Sequence, residues 1–211
     1  ILFLVELPEF GRNMLEVLRQ PLEEKKVTVA RAKYTIEYPA NFMLVAAMNP
    51  CPCGYYNHPT KECVCSAASV SRYINRISGP LLDRIDLHVE VTPVALDEIS
   101  GTAPAEKSAA IRERVVAARA RQAARFAGTN GIHTNAMMNA AMLREYCRPD
   151  AAGAALLERA MERLSLSARA YDRILKVART IADLAGRERI TAQEIAEAVG
   201  YRSLDRGNWG E

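Results

Sequence analysis

The sequence lacks any apolar run long enough to cross a lipid bilayer. The longest, Phe42–Met48, is far shorter than the roughly 20 residues that a spanning helix needs. The beginning also lacks the basic segment and apolar segment of an export signal. We therefore expect a cytoplasmic protein without membrane contacts. The sequence instead begins inside an apolar stretch, Ile1–Val5, which is typical of a core strand, so we expect it to be a piece of a longer protein.

The sequence also has little net charge, +3 at pH 7, and this value alone does not indicate a nucleic-acid partner. Its basic residues are unevenly distributed, however. The segment between Gly101 and Asn130 has helical periodicity and contains only two acidic residues, Glu106 and Glu113. The six basic residues of this segment are Lys107, Arg112, Arg114, Arg119, Arg121 and Arg125. The segment therefore predicts a basic helix.

Two kinds of hydrophobic pattern divide the chain. Residues 1–95 contain short apolar runs separated by helical patterns, which predicts an α/β layer with a parallel sheet. The predicted buried strands are Ile1–Val5, Phe42–Ala47 and Ile85–Val91. Beyond about Ala103 every strong pattern is helical. We therefore expect an α/β domain over 1–95, a linker with the basic helix over 96–130, and an all-helical domain over 131–211.

A β-hairpin with a basic tip is predicted between the first two strands. Val27–Val29 and Tyr34–Ile36 are rich in residues that favour strands, and Arg31 and Lys33 lie near the turn that joins them. Two interpretations remain open for this tip. It is either a contact for nucleic-acid phosphates or an ordinary solvated turn.

Polar residues stand at the ends of the predicted strands. Glu6 follows the first strand and Asn49 the second, at the edge where parallel sheets hold ligands. Arg84 lies just before the third. Each also has a structural interpretation: acidic strand ends are common, Asn49 precedes a proline and fits a turn, and Arg84 fits a surface ion pair with Asp83 or Asp86.

Four of the five cysteines are concentrated in one short loop. They form two Cys-x-Cys pairs, with Cys51 and Cys53 in the first and Cys63 and Cys65 in the second. In a chain without an export signal this clustering favours a metal or free thiols over disulfides. Four thiolates suit a structural Zn²⁺ ion. The one-residue spacing is tight, so free thiols remain the alternative, and His58 is a further candidate ligand.

The order of these motifs resembles the magnesium-chelatase-like family of AAA+ ATPases, and within it the ComM/YifB branch. The resemblance covers nearly the whole chain. It is carried by Leu2–Phe10, Leu18–Glu23, Ala46–Tyr55, Leu81–Asp86 and Leu166–Leu184. It implies a partial AAA+ core with parallel strands, followed by an all-α lid domain.

The resemblance also implies roles for single residues. Glu6 matches the Walker B glutamate, Asn49 the sensor 1 residue and Arg84 the arginine finger, which acts on a neighbouring subunit. Arg169 matches the sensor 2 arginine, which binds ATP from the lid. The Val27–Tyr38 hairpin resembles the pre-sensor 1 hairpin of DNA motors, so that Arg31 and Lys33 would bind DNA. We therefore expect Glu6 and Asn49 to share one cleft, and Arg84 and Arg169 to be exposed without a strong internal partner.

Two departures from the family pattern bear on activity. Val5 stands where the family has an aspartate, and valine cannot organise Mg²⁺ or its waters. The motif G-x-x-x-x-G-K-[ST], which cradles phosphates, does not occur in the sequence. We expect the full-length protein to use ATP and Mg²⁺ and this chain alone to be inactive.

The resemblance leaves three functions open. The first is a motor that self-associates into a ring, expected to be hexameric, and that remodels DNA by branch migration or helicase-like movement. The second is a chelatase-type ATPase subunit that drives a metal-inserting partner. The third is a nucleotide-binding or structural subunit without turnover. The cysteine loop and the closeness to the ComM branch favour the first.

Overall fold

The fold is known from a computed structural model that describes residues 1–31, 33–94, 105–202 and 204. The chain forms two compact units, the first built mainly on Ile1–Ile85 and the second on Asp86–Ser203. The first mixes strands and helices, and the second is helical. The sequence places the boundary near residues 95–105, and 95–104 lie outside the described residues. The mixed α/β fold class with parallel strands and a helical second part is confirmed.

Among its described residues, the first unit contains two short pairs of strands and four α-helices. Strand β1 pairs in parallel with β4, in a register that sets Val5 opposite Ala47. Strands β2 and β3 form a separate antiparallel hairpin. The elements in chain order are β1 (Leu2–Val5), a 3₁₀ turn (Leu7–Glu9), α1 (Arg12–Val17), α2 (Arg19–Glu24), β2 (Lys26–Arg31), β3 (Tyr34–Pro39), β4 (Leu44–Ala47), α3 (Ala67–Ile74) and α4 (Gly79–Leu82).

The prediction of a third strand at Ile85–Val91 is wrong. These residues are described, and they adopt no regular secondary structure. The expectation that the strands are buried on both faces is also wrong. Phe3 is 61% exposed and Val45 39% exposed. An apolar run predicts a buried strand only where other elements cover both faces of the sheet, and the described residues supply no such cover here.

A small apolar core holds the strand ends of the first unit against its helices. Leu7, Leu15, Ile77 and Leu81 are all buried and pack together. Helix α3 begins at Ser66, whose hydroxyl accepts a hydrogen bond from the Ser69 amide and so caps the helix. This core therefore holds the chain in place next to the edge of the sheet at which the sequence predicts a ligand site.

The predicted hairpin is confirmed, with longer strands than the sequence indicates. All six residues of β3 are exposed, as is the outer half of β2. Near the base, Lys26 pairs with Glu37 at 2.6 Å, and the Ala40 amide donates to the Lys25 carbonyl. The hairpin is therefore anchored at its base and exposed toward its tip.

The second unit is a group of helices around one apolar core. Two side-chain caps begin helices of this unit: Ser167 accepts a hydrogen bond from the Ala170 amide, and Thr191 forms a capping box with Glu194. No helix in the described part of the chain is both long and apolar enough to span a bilayer. The elements are α5 (Ser108–Arg125), a 3₁₀ turn (Asn135–Met137), α6 (Ala140–Tyr146), α7 (Ala151–Arg163), α8 (Ala168–Leu184) and α9 (Ala192–Gly200).

A buried carboxylate organises the polar interior of this unit. Asp183 is fully buried, and it receives two hydrogen bonds from Arg125, at 2.6 and 2.7 Å, and one from Asn135 at 2.8 Å. Arg179 lies 3.2 Å from the same carboxylate. Burial opposes ionisation of Asp183, but these donors outweigh it and lower the pKa below its ordinary value. The carboxylate therefore links α5, the second 3₁₀ turn and α8.

The basic helix predicted from the sequence exists as α5, but two of its arginines have structural partners. Arg125 binds Asp183, and Arg121 donates to the Asp183 carbonyl at 3.1 Å. Arg114 pairs with Glu106 on the surface. A smaller share of the positive charge of this helix is therefore available to a partner than the sequence indicates.

Candidate functional site

The parallel pairing of β1 and β4 brings two predicted site residues to one edge of the first unit. Glu6 directly follows β1, and Asn49 stands two residues beyond β4. Both side chains are exposed. Since Val5 and Ala47 are paired in register, the two strand ends that carry Glu6 and Asn49 are neighbours. The sheet thus brings a carboxylate and an amide to the edge where parallel sheets bind ligands.

The backbone of Glu6 adopts the left-handed conformation, with φ 56° and ψ 51°. A residue other than glycine pays a steric cost there, and such outliers are concentrated at functional sites. Here the unusual turn ends β1 and starts the 3₁₀ turn at once, because the Glu9 amide donates to the Glu6 carbonyl at 2.8 Å. The turn leaves the Glu6 carboxylate exposed at the edge of the sheet.

Helix α3 adds Tyr73, a residue that the sequence pattern does not single out. Tyr73 is nearly buried, and its phenol oxygen accepts a hydrogen bond from the Asn49 backbone. Burial raises the pKa of Tyr73, and the charges of Glu9 and Glu6 raise it further. The phenol therefore lies close to both strand ends. No sequence signal separates it from the other apolar positions of the helix, since its hydrogen bond depends on tertiary packing.

The expectation that Arg84 is exposed is wrong. Its side chain is 7% exposed and forms a salt bridge with Glu23. The Arg84 Nε donates to Glu23 at 2.9 Å, and Nη1 donates to the Pro80 carbonyl at 2.6 Å. The physical reason is that α2 places an acidic side chain beside the end of α4. The single chain thus gives no support to Arg84 as an arginine finger.

The remaining predicted ligand residues lie on exposed surfaces. Arg169 is exposed in the first turn of α8, as expected, but it has an interaction within the chain and is not a free side chain. Arg31 and Lys33 are exposed near the tip of the hairpin. The first of these residues belongs to the second unit and the other two to the first. Their roles in binding ATP and DNA stay predictions.

The four clustered cysteines converge on one point. Their sulfur atoms all lie within 4.8 Å of one another, and all four cysteines are free. The Cys51 sulfur is 3.4 Å from that of Cys53 and 3.7 Å from that of Cys63, and the sulfurs of Cys53 and Cys63 are 3.6 Å apart. The loop reverses through Gly54 and Asn57, both with positive φ.

The thiols have strongly different pKa values. Backbone hydrogen bonds from Tyr55 and Val64 outweigh burial and lower the pKa of Cys53 to about 6. At Cys63, a hydrogen bond from the Cys65 backbone favours the thiolate, but burial and the neighbouring sulfurs of Cys53 and Cys51 outweigh it and raise the pKa to about 12. The pKa of Cys65 is also raised, although the Cys53 backbone donates to it. The neighbouring sulfurs therefore oppose ionisation of Cys63 and Cys65.

The residues present fit an ATP and Mg²⁺ site only in part. Glu6 and Asn49 can contribute an acceptor and an amide for water and phosphate. Val5, at the end of β1, offers no oxygen ligand, and Mg²⁺ binds through oxygen. The described residues would thus supply one side of such a site.

Comparison with known proteins relates the chain to one family over most of its length. The family model described as magnesium chelatase, subunit ChlI, matches residues 1–99, and the model of the C-terminal part of that subunit matches residues 105–202. The chain is 44% identical over 209 residues to "Uncharacterized protein YifB" of Escherichia coli, covering 98% of the chain and 40% of that protein. It is 45% identical over 207 residues to "Competence protein ComM" of Haemophilus influenzae, covering 98% of the chain and 39% of that protein. The chain therefore spans about two fifths of the length of these relatives.

Proposed function

We propose, on the premise that the chain belongs to the magnesium chelatase family, that it is part of an ATP-driven ring motor of the ComM type that remodels DNA. The observation that carries the ATPase part is the parallel β1–β4 pairing, which brings Glu6 and Asn49 to one edge. In this proposal Glu6 polarises the attacking water and Asn49 orients it beside the γ-phosphate. Bound Mg²⁺ would neutralise the phosphate charge. The rest of that site lies in parts of the protein outside this chain.

The shape of the hairpin supports the DNA part of the proposal. Basic side chains at an exposed tip can reach phosphates without first breaking internal contacts, and Arg31 and Lys33 are both exposed. One face of β3 also presents two tyrosines, Tyr34 at 70% and Tyr38 at 52% exposure. Aromatic side chains beside basic ones suit stacking on the bases of single-stranded nucleic acid. We therefore propose DNA contacts along the hairpin as well as at its tip.

A subunit that binds nucleotide without turnover is the second candidate, and Val5 favours it. This residue occupies the end of β1, one position before Glu6, where the family has an aspartate. A chain of this kind would keep the ring assembled and leave hydrolysis to other subunits. The two candidates differ in one measurable property, which is ATP turnover by the full-length protein.

The ATPase proposal is tested on the full-length protein that contains this chain. We expect ATP hydrolysis that DNA stimulates, and we expect Glu6→Gln to lower kcat by at least about 100-fold, since water activation contributes roughly 10²–10⁴-fold. Nucleotide binding should persist, because the substitution keeps the size of the side chain. The matched control is Glu158→Gln, at an exposed position on α7. Nucleotide binding without turnover in the parent would favour the second candidate.

The DNA proposal is tested by the salt dependence of DNA binding. Each phosphate contact contributes about 0.9 to the slope of log K against log salt. The double variant Arg31→Gln, Lys33→Gln should therefore lower the slope by about 2. The control Arg159→Gln, Arg163→Gln removes the same charge from an exposed part of α7. Equal slopes in both double variants would contradict the proposed contact.

A further inference from the structure

We propose that Cys51, Cys53, Cys63 and Cys65 hold a structural Zn²⁺ ion, which fastens the exit of β4 to the start of α3. Four ligands about 2.3 Å from zinc in a tetrahedron lie about 3.8 Å from one another. The separations among the sulfurs of Cys51, Cys53 and Cys63 are 3.4, 3.6 and 3.7 Å and come close to this value, and the Cys65 sulfur lies within 4.8 Å of the others. The loop thus already has nearly the shape that the metal requires.

The loop also supplies the hydrogen bonds that thiolate ligands need. Backbone amides of Tyr55 and Val64 donate to the Cys53 sulfur, and the Cys65 amide donates to the Cys63 sulfur. Such bonds stabilise negative sulfur and orient it toward a metal. Buried thiols that were merely packed as apolar groups would not need this set of amide donors. Cys147 is the comparison: it is buried, and its sulfur has the Met138 sulfur as a neighbour at 3.9 Å.

Apolar contacts give this loop little support. Residues 51–65 contain no helix or strand, and Val64, between the last two cysteines, is 86% exposed. A loop of this composition needs another source of order, and closing it with a metal supplies one. His58 does not belong to the group of ligand atoms that converge here, which consists of the four cysteine sulfurs. Its Nδ1 instead accepts hydrogen bonds from the Thr60 and Lys61 amides at 3.2 and 3.1 Å.

Zinc is the metal that this ligand set favours. Four sulfur ligands in a tetrahedron select zinc or iron, and they do not suit the hard cations Mg²⁺ and Ca²⁺. Closed sites with four protein ligands leave no open position for water or substrate, so the ion would be structural and not catalytic. The proposed zinc ion is therefore a different metal ion from the Mg²⁺ of the proposed ATP site.

The place of the cluster in the chain gives the ion a defined consequence. Cys51 lies two residues beyond Asn49, and Cys65 precedes Ser66, which caps α3. Helix α3 in turn carries Tyr73, which is hydrogen-bonded to the Asn49 backbone. The ion would complete a closed path of contacts, which runs from Asn49 along the cysteine loop to α3 and from Tyr73 back to the Asn49 backbone. It would thereby hold Asn49 in place at the strand edge.

The test measures metal in the full-length protein, purified without chelator and desalted. We expect about one zinc per chain, with X-ray absorption showing sulfur neighbours at about 2.3 Å. The double variant Cys51→Ser, Cys63→Ser and the single variant Cys65→Ser should lose the zinc. Cys147→Ser and His58→Ala should keep it. The parent should melt at a lower temperature after a strong chelator has removed the metal.

Every outcome of this test decides the proposal without reference to ATP or DNA. Zinc at one per chain in the parent supports it even where a cysteine variant fails to fold, because the sulfur distances are measured on the parent. A parent that contains no zinc, that contains iron instead, or that melts at the same temperature with and without chelator would overturn it. Equal zinc in the Cys65→Ser and Cys147→Ser variants would also overturn it.

Discussion

Arg84 illustrates how one side chain can fit two roles. Its guanidinium is almost wholly buried, while its partner Glu23 is 46% exposed at the side chain. An arginine that acts on a neighbouring subunit has to be free to reach outward, whereas this one also binds the Pro80 carbonyl within its own chain. In the single chain, its hydrogen bonds give it a structural role between α2 and α4.

The structural role of Arg84 is tested by a double-mutant cycle with Glu23. We expect Arg84→Ala to lower the melting temperature of the full-length protein, since losing a charged hydrogen-bond partner costs about 1–3 kcal/mol. The effects of Arg84→Ala and Glu23→Ala should be less than additive in the double variant, because each alone removes the same interaction. Strictly additive shifts would show that the two side chains are not coupled. The same cycle with Arg159 in place of Arg84 is the control.

At the scale of elements, hydrogen bonds and core packing explain which predicted segments formed. The hairpin, the parallel β1–β4 pair and the capped helices of the second unit all form, since each has local signals that agree with its surroundings. Ile85–Val91 has a strand-like composition but no strand partner among the described residues. A strand needs a partner for its backbone groups, and a sequence pattern cannot supply one.

The helices of the second unit depend on the Asp183 carboxylate. Asp183→Asn should lower the free energy of unfolding by about 3–5 kcal/mol at pH 7, because the positive charges of Arg125 and Arg179 would lose the negative charge beside them in a buried site. The folded-state pKa of Asp183 is lowered, so its charge stabilises the fold above the ordinary carboxyl pKa, and this contribution is lost as the pH falls through the lowered value. The difference from the parent should be constant between pH 7 and 5 and shrink below about pH 4.

Thermal melts of the two proteins across this pH range measure the Asp183 effect. Asp172→Asn is the control, since this residue is exposed on the same helix. An Asp183→Asn variant that is as stable as its parent at pH 7 would show that Arg125 and Arg179 find other partners. A difference that grows as the pH falls would contradict the lowered pKa.

At the scale of the whole molecule, the proposed ATPase activity requires a phosphate-binding loop, and that motif does not occur in this sequence. The chain alone, without a phosphate-binding loop in its sequence, should hydrolyse no ATP at any Mg²⁺ concentration. In the full-length protein, Val5→Asp should raise turnover about tenfold or more, equivalent to about 1.4 kcal/mol of barrier. The physical reason is that an aspartate at the end of β1 would add an oxygen ligand for Mg²⁺ or its waters.

Val5→Asn is the control for this prediction, because it adds a polar group of the same size as aspartate without its charge. Steady-state ATPase assays of the three full-length proteins measure the effect. Equal rates in the parent and Val5→Asp would show that position 5 does not organise the metal. An increase with Val5→Asn as large as with Val5→Asp would show that charge is not the cause.

The sequence by itself determined the elements whose signals are local. The Thr191 capping box, the hairpin and the loop reversal at Gly54 follow from residues close together in the chain. The order of motifs also determined the family. Only the tertiary structure decided the partners that come from distant elements. Glu23 for Arg84 and the Asn49 backbone for Tyr73 are such partners. The physical reason is that burial and pairing depend on packing between elements, and no local pattern in the chain encodes which elements meet.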